Sequence, residues 1–179
     1  MLLLPFSKYS KKTLTNRTII VFILLFLGAL LMRYLNSFLL NDIATNGIIT
    51  FELAKDASFA ESIINSWDIK AKAAAGYSLI FDFIFLVLYS LFLALLIHQI
   101  NERVWKNTAV YKVGVALIYA QFVAAFFDAI ENIALLQLFK EATQFWTSIA
   151  YYFASMKFIL IALGILFIVI SWVVRLVRR

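Results

Sequence analysis

Ile19-Ile20-Val21-Phe22-Ile23-Leu24-Leu25-Phe26-Leu27 is an unbroken apolar run in which polar and apolar residues do not alternate. Only helices and closed barrels cross a bilayer, and barrel strands alternate lipid-facing and lumen-facing residues, so this run reads as helix. Extended in both directions it becomes segment 18–40, long enough for the roughly 30 Å of hydrocarbon that about 20 helical residues cover. Three more segments of the same kind follow at 76–98, 108–139 and 147–174. The expected fold class is therefore all-α: a polytopic membrane protein, a four-transmembrane-helix bundle forming one integral membrane domain over 1–179.

Composition agrees. The chain is 64% hydrophobic and 15% charged, whereas soluble domains run about 45–50% apolar and about 25% charged. It has no cysteine, which excludes a disulfide scaffold, thiol catalysis and a Cys-ligated metal. With a single histidine, His98, a haem or zinc site is not expected either. No metal and no cofactor are therefore expected. His98 lies at the inner end of the second span beside Gln99 and Asn101 and reads as an interfacial polar residue. No GxSxG, P-loop or dinucleotide fingerprint occurs.

Basic residues set the expected orientation. Lys8, Lys11, Lys12, Arg17, Arg103, Lys106, Lys112, Arg175, Arg178 and Arg179 fall on one side, against Lys55, Lys70, Lys72 and Lys140 on the other. The positive-inside rule then places both termini in the cytoplasm. These bases serve as topology determinants and as contacts for anionic headgroups, so no nucleic-acid partner is expected. The apolar run that follows the basic N-terminal arm continues to Met32 with no small-residue cleavage pattern after it, so an uncleaved first span is expected.

The connection 41–75 is the one sizeable segment outside the spans. Asn46-Gly47 marks a turn. Ser58 with Glu61 matches a capping box, and Phe59, Ile63 and Trp67 recur every four residues. That pattern predicts an amphipathic helix against the outer ends of the bundle, as packing or as a lid over a site. The single proline, Pro5, and five scattered glycines offer no broken helices of the kind found in ion-coupled transporters.

The informative residues are ionisable groups inside the spans: Arg33, Asp82, Asp128, Glu131 and Lys157, with Asn132 beside them. At about 1.5 Å rise per residue, Asp82 lies about 9 Å and Lys157 about 15 Å below the outer ends of their helices, with Asp128 and Glu131 at about 12–17 Å. Four helices thus contribute to one outer layer. Unpaired, five such charges cost on the order of 10–15 kcal/mol at about 2.5–3.5 kcal/mol each, so they are expected to meet in the bundle interior. Ala116, Ala120, Ala124, Asp128 and Asn132 repeat every four residues and predict one small-residue ridge facing inward. Ser78, Asp82, Phe85 and Tyr89 on the second span, and Ala150, Ala154, Lys157 and Ile161 on the fourth, follow matching spacings. Two cations then face three carboxylates, and an unmatched carboxylate in such a layer tends to hold a proton. A buried ion-pair network that merely fixes helix register is the structural alternative.

Phe51-Glu52-Leu53 in the outer connection, Trp67, Asp82-Phe83 and Asp128-Ala129-Ile130-Glu131-Asn132 together resemble a group of small, uncharacterised bacterial four-span membrane proteins. The resemblance implies the same four-span fold and brings no known activity. From the residues themselves, the expected function is to bind or process a lipid-like or small amphiphilic ligand. Asp82, Asp128 and Glu131 are the candidate acid, base or cation-binding groups. Arg33, Lys157, Asn132, Tyr89 and Trp67 are the candidate ligand contacts. The expected partner is membrane lipid. Alternatives are an accessory subunit docked on a larger membrane protein, and a proton- or ion-coupled transporter working as a homo-oligomer.

Overall fold

Side chains that satisfy the first free backbone N–H groups decide where the long helices begin. Ser10 accepts from the Thr13 N–H, Asp68 from Ala71 and Thr143 from Trp146. The computed structural model describes residues 5–178; Arg179, one of the basic residues counted above, lies outside them. Its helices are α1 Lys11–Ser37, α2 Ile48–Glu52, α3 Ala57–Ser66, α4 Ile69–Val104, α5 Val110–Leu138 and α6 Gln144–Val177. Among the described residues there is no strand. Helices α1, α4, α5 and α6 are each long and apolar enough to cross a membrane, and the chain is a multi-pass four-helix bundle.

Helices α4 and α6 overrun the predicted spans at both ends, and α1 does so at its start while ending three residues short of its span. Hydropathy marks only the part that lipid must cover, while helical hydrogen bonding continues to the nearest cap. The 36 residues of α4 therefore reach about 54 Å at 1.5 Å per residue, more than the roughly 30 Å of hydrocarbon to be crossed.

Packing is unequal around the ring. Helix α5 lies against both α4 and α6, and α1 lies against α4, but α1 and α6 share no extended packing. A cleft is left between them. The buried face of α5 runs Gly114, Ile118, Gln121, Ala125, Asp128, Asn132 and Leu135. The predicted four-residue ridge is correct only in its outer half: Ala124, Asp128 and Asn132 are buried, Ala120 is half-buried and Ala116 is exposed. Four residues turn a helix by about 400°, so a strict four-residue repeat drifts about 40° per step and leaves the core; alternating steps of three and four hold it.

The connection between α1 and α4 is a packed cap. Gly47, with φ of 63°, precedes α2, and a Cβ there would meet the Asn36 side chain. That side chain is needed in place: Asn36 Oδ1 accepts from the Ile48 N–H at 2.8 Å and so ties α2 to the end of α1. The short helix α2 was not foreseen, and the predicted capping box does not form. Helix α3 starts at Ala57, one residue before Ser58, and the Ala57 N–H donates to Gln144 Oε1 at 3.0 Å. Its inward face is Ala60, Ile63 and Trp67, whereas Phe59 points out at 42% exposure. Ile63 and Trp67 thus face inward as expected, and only Phe59 does not, its place being taken by a small residue, Ala60, that hydropathy underweights.

Trp67 seats the cap. Its ring lies 5.4 Å from that of Phe51 and 6.2 Å from that of Phe139, and its indole N–H donates to the Leu39 carbonyl at 2.9 Å. Around it Leu39, Ile63, Leu79, Leu135 and Leu138 form the main apolar core.

Candidate functional site

The cleft between α1 and α6 encloses about 660 Å³. Its walls are apolar: Leu25, Ala29 and Met32 from α1, Phe85 and Phe92 from α4, and Phe158, Ile161 and Ile165 from α6. Ile48, Ile49 and Glu52 of α2 border it toward the cap, and Asp82, Tyr89, Asp128 and Lys157 border it on the bundle side. An apolar trough thus ends on the charged layer.

Lys157 is the centre of that layer. Its Nζ lies 2.7 Å from Asp128 Oδ1, 2.8 Å from Glu131 Oε2 and 3.6 Å from Glu52 Oε2. Tyr89 donates its hydroxyl to Asp128 Oδ2 at 2.9 Å, and Asn132 donates to Asp82 Oδ2 at 2.6 Å. Lys157 is 5% exposed and Glu131 0%. Glu131 Oε1 receives no hydrogen bond from a donor among the described residues, and Glu131 does not line the cleft. The ammonium sits among the carboxylates, and among the described residues no group of three His, Asp or Glu side chains is placed to hold a metal ion.

Asp82, Asp128, Glu131, Asn132, Tyr89 and Lys157, predicted from three separate helices, therefore come together. Two of the other predictions do not join them. Arg33 is exposed on α1 and forms no ion pair among the described residues. It lines the rim of the cleft, because position 33 faces the gap and α4 is the one long helix against which α1 packs extensively. Trp67 makes no hydrogen bond to the layer among the described residues and holds the cap instead through its bond to Leu39.

Glu52 was missed. Its place in the connection between spans reads as aqueous, yet α2 folds it back into the layer, where it is 9% exposed. The available signal was its place between Phe51 and Leu53, a lone acid in an apolar stretch that also includes Ile48 and Ile49. Its inclusion changes the charge count. One buried ammonium now faces four carboxylates, those of Glu52, Asp82, Asp128 and Glu131, where two cations against three had been expected.

Burial pushes the Glu52 carboxyl above its ordinary value of 4.5; the Lys157 ammonium offsets part of this, and the Asp128 charge adds to it. The protonated acid is thus favoured by folding. Stability from this group is fully present below about pH 4.5 and is lost as pH rises through the raised value. Glu52→Gln mimics the neutral acid and removes that dependence. Thermal unfolding of wild type and variant between pH 4 and pH 8 is expected to diverge as pH rises, with Glu52→Gln the more stable at the alkaline end. Parallel curves would show that Glu52 does not change its charge preference on folding.

Comparison with protein-family models, with curated proteins and with solved structures finds no match to this chain. The cleft and its charged end are therefore read from their own chemistry.

Proposed function

We propose that the protein binds or processes a lipid-like or small amphiphilic ligand, with the ligand's chain in the α1–α6 cleft and its polar head at the Lys157 layer. One observation carries the reading: an apolar cleft of about 660 Å³, on the side of the bundle where α1 and α6 do not pack, ends on buried charges from four different elements. Ligand sites combine mostly apolar walls with a few convergent polar groups, and ionisable residues within spans are functional candidates by default. A gap between two membrane helices admits a ligand from the hydrocarbon without passage through water.

The layer's chemistry selects the head. Four carboxylates beside one ammonium favour a head rich in hydroxyl or ammonium donors, which would meet Glu52, Asp82 and Asp128 where they line the cleft. An anionic part of the same head would meet Arg33 at the rim. Asp82, Asp128 and Glu131 supply the acid and base groups for any proton transfer on such a ligand. The basic residues favour both termini in the cytoplasm, and the resemblance to small bacterial four-span proteins favours a bacterial inner membrane. The charged layer then lies in the outer leaflet.

Ala29 is exposed on the cleft wall, so Ala29→Trp fills the trough without entering the bundle core. Lipid extracted from the purified protein and identified by mass spectrometry should contain one enriched amphiphile in wild type and at least tenfold less of it in Ala29→Trp, at equal folded yield. Equal amounts of the same lipids in both would remove this reading.

A further inference from the structure

At the opposite end of the bundle, where the described termini lie, a second cavity of about 440 Å³ opens between the start of α1, the end of α4 and the start of α5. Its rim carries Lys11, Arg103 and Lys106, and its one carboxylate, Glu102, is already engaged by the Tyr111 hydroxyl and by Lys106 at 3.5 Å. Lys11 is the first residue of α1, so the positive end of that helix's dipole borders the cavity.

His98 makes this more than a basic surface. It was expected at the interface, but it is only 4% exposed. The Phe6 ring packs edge-on against it at 5.7 Å. Phe6 holds a φ of 69°, an uncommon backbone state for a bulky residue. His98 has no hydrogen-bond partner among the described residues, yet it lines the cavity. An imidazole that makes no hydrogen bond to the described residues and lines a cavity bordered by three cations and Glu102 offers that cavity a ring N–H.

We infer that this cavity binds a phosphate group, with His98 donating at its base and Lys11, Arg103 and Lys106 supplying charge at its rim. The site is independent of the cleft and shares no residue with it. The phosphate is that of an anionic lipid headgroup or of a soluble phosphorylated molecule, and the cavity's place at the end of the spans suits either source.

The test uses the full chain in nanodiscs of phosphatidylcholine containing a minor fraction of phosphatidylglycerol, with retained lipid counted by native mass spectrometry after release. Wild type is expected to retain at least tenfold more phosphatidylglycerol than Arg103→Gln/Lys106→Gln, and the retained lipid is then challenged with millimolar inorganic phosphate. Both of those residues are exposed, so the fold is not at stake. Displacement by inorganic phosphate assigns a soluble ligand, and retention insensitive to it assigns a lipid headgroup; each supports the site. A control pair, Lys8→Gln/Lys12→Gln, removes the same charge from exposed positions that do not line the cavity. The inference is overturned if that pair weakens retention as much as the first, since attraction is then diffuse, or if neither retention nor phosphate displacement is seen in wild type.

Discussion

Lys157→Met is expected to destabilise the bundle by about 3–5 kcal/mol, the usual cost of removing one partner from a buried charge network. The variant keeps most of the side chain's apolar stem and deletes only the ammonium. Asp128, Glu131 and Glu52, which lie 2.7, 2.8 and 3.6 Å from that ammonium, then face one another without a counter-charge. The expected readout is a large drop in the thermal unfolding midpoint in detergent. Adding Glu131→Gln to Lys157→Met should recover a substantial part of the loss, because it removes one of the repelling charges. Glu131→Gln alone, in the presence of Lys157, should cost less than Lys157→Met. The double-mutant cycle isolates the coupling between the two. Additive effects would show that Lys157 and Glu131 do not interact as a pair, and would leave the layer without a centre.

Trp67→Ala is expected to cost about 3–5 kcal/mol as well, through a different mechanism. It leaves a hole between Phe51 and Phe139 and strands the Leu39 carbonyl that the indole now satisfies. Its effect should be local to the cap: α2 loses its footing, and the exposed Lys55 connection between α2 and α3 becomes open to trypsin. Trp67→Phe, which keeps a ring and loses the hydrogen bond, should cost about 1–3 kcal/mol. Equal trypsin resistance in wild type and Trp67→Ala would mean that the cap is held by other contacts.

These two residues also show what sequence patterns carry and what they lose. Lys157 was legible because a charge within an apolar span has nowhere to go except toward other charges, and Asp128, Glu131 and Asp82 lay at matching depth. Trp67 was legible as inward-facing, and its role was not, since a repeat of Phe59, Ile63 and Trp67 cannot say whether it faces a ligand or a core. Glu52 was assigned to water because it lies between spans; only the fold-back at Gly47, fixed by Asn36 ten residues and more away, brings it into the layer. Arg33 was read as a counter-charge on depth alone. Depth is set by rise along one helix, but pairing is set by azimuth around the bundle, and that depends on which helices touch. His98 shows the same limit: its place at a span end suggested water, and a ring from the N-terminal segment covers it.

The helix α1 buries Leu14, Val21 and Gly28, three residues seven apart, which is the spacing of a single seam rather than a broad face. At Gly28 the seam is tight, with a Cβ there lying 3.1 Å from the Phe85 ring. A helix held along one line resists sliding and resists tilting about that line very little. Its inclination is then governed by the match between its apolar length and the thickness of the surrounding hydrocarbon, an adjustment that costs fractions of a kcal/mol per ångström. Since the other side of α1 is the wall of the α1–α6 cleft, the host membrane itself becomes a determinant of how wide that wall stands open.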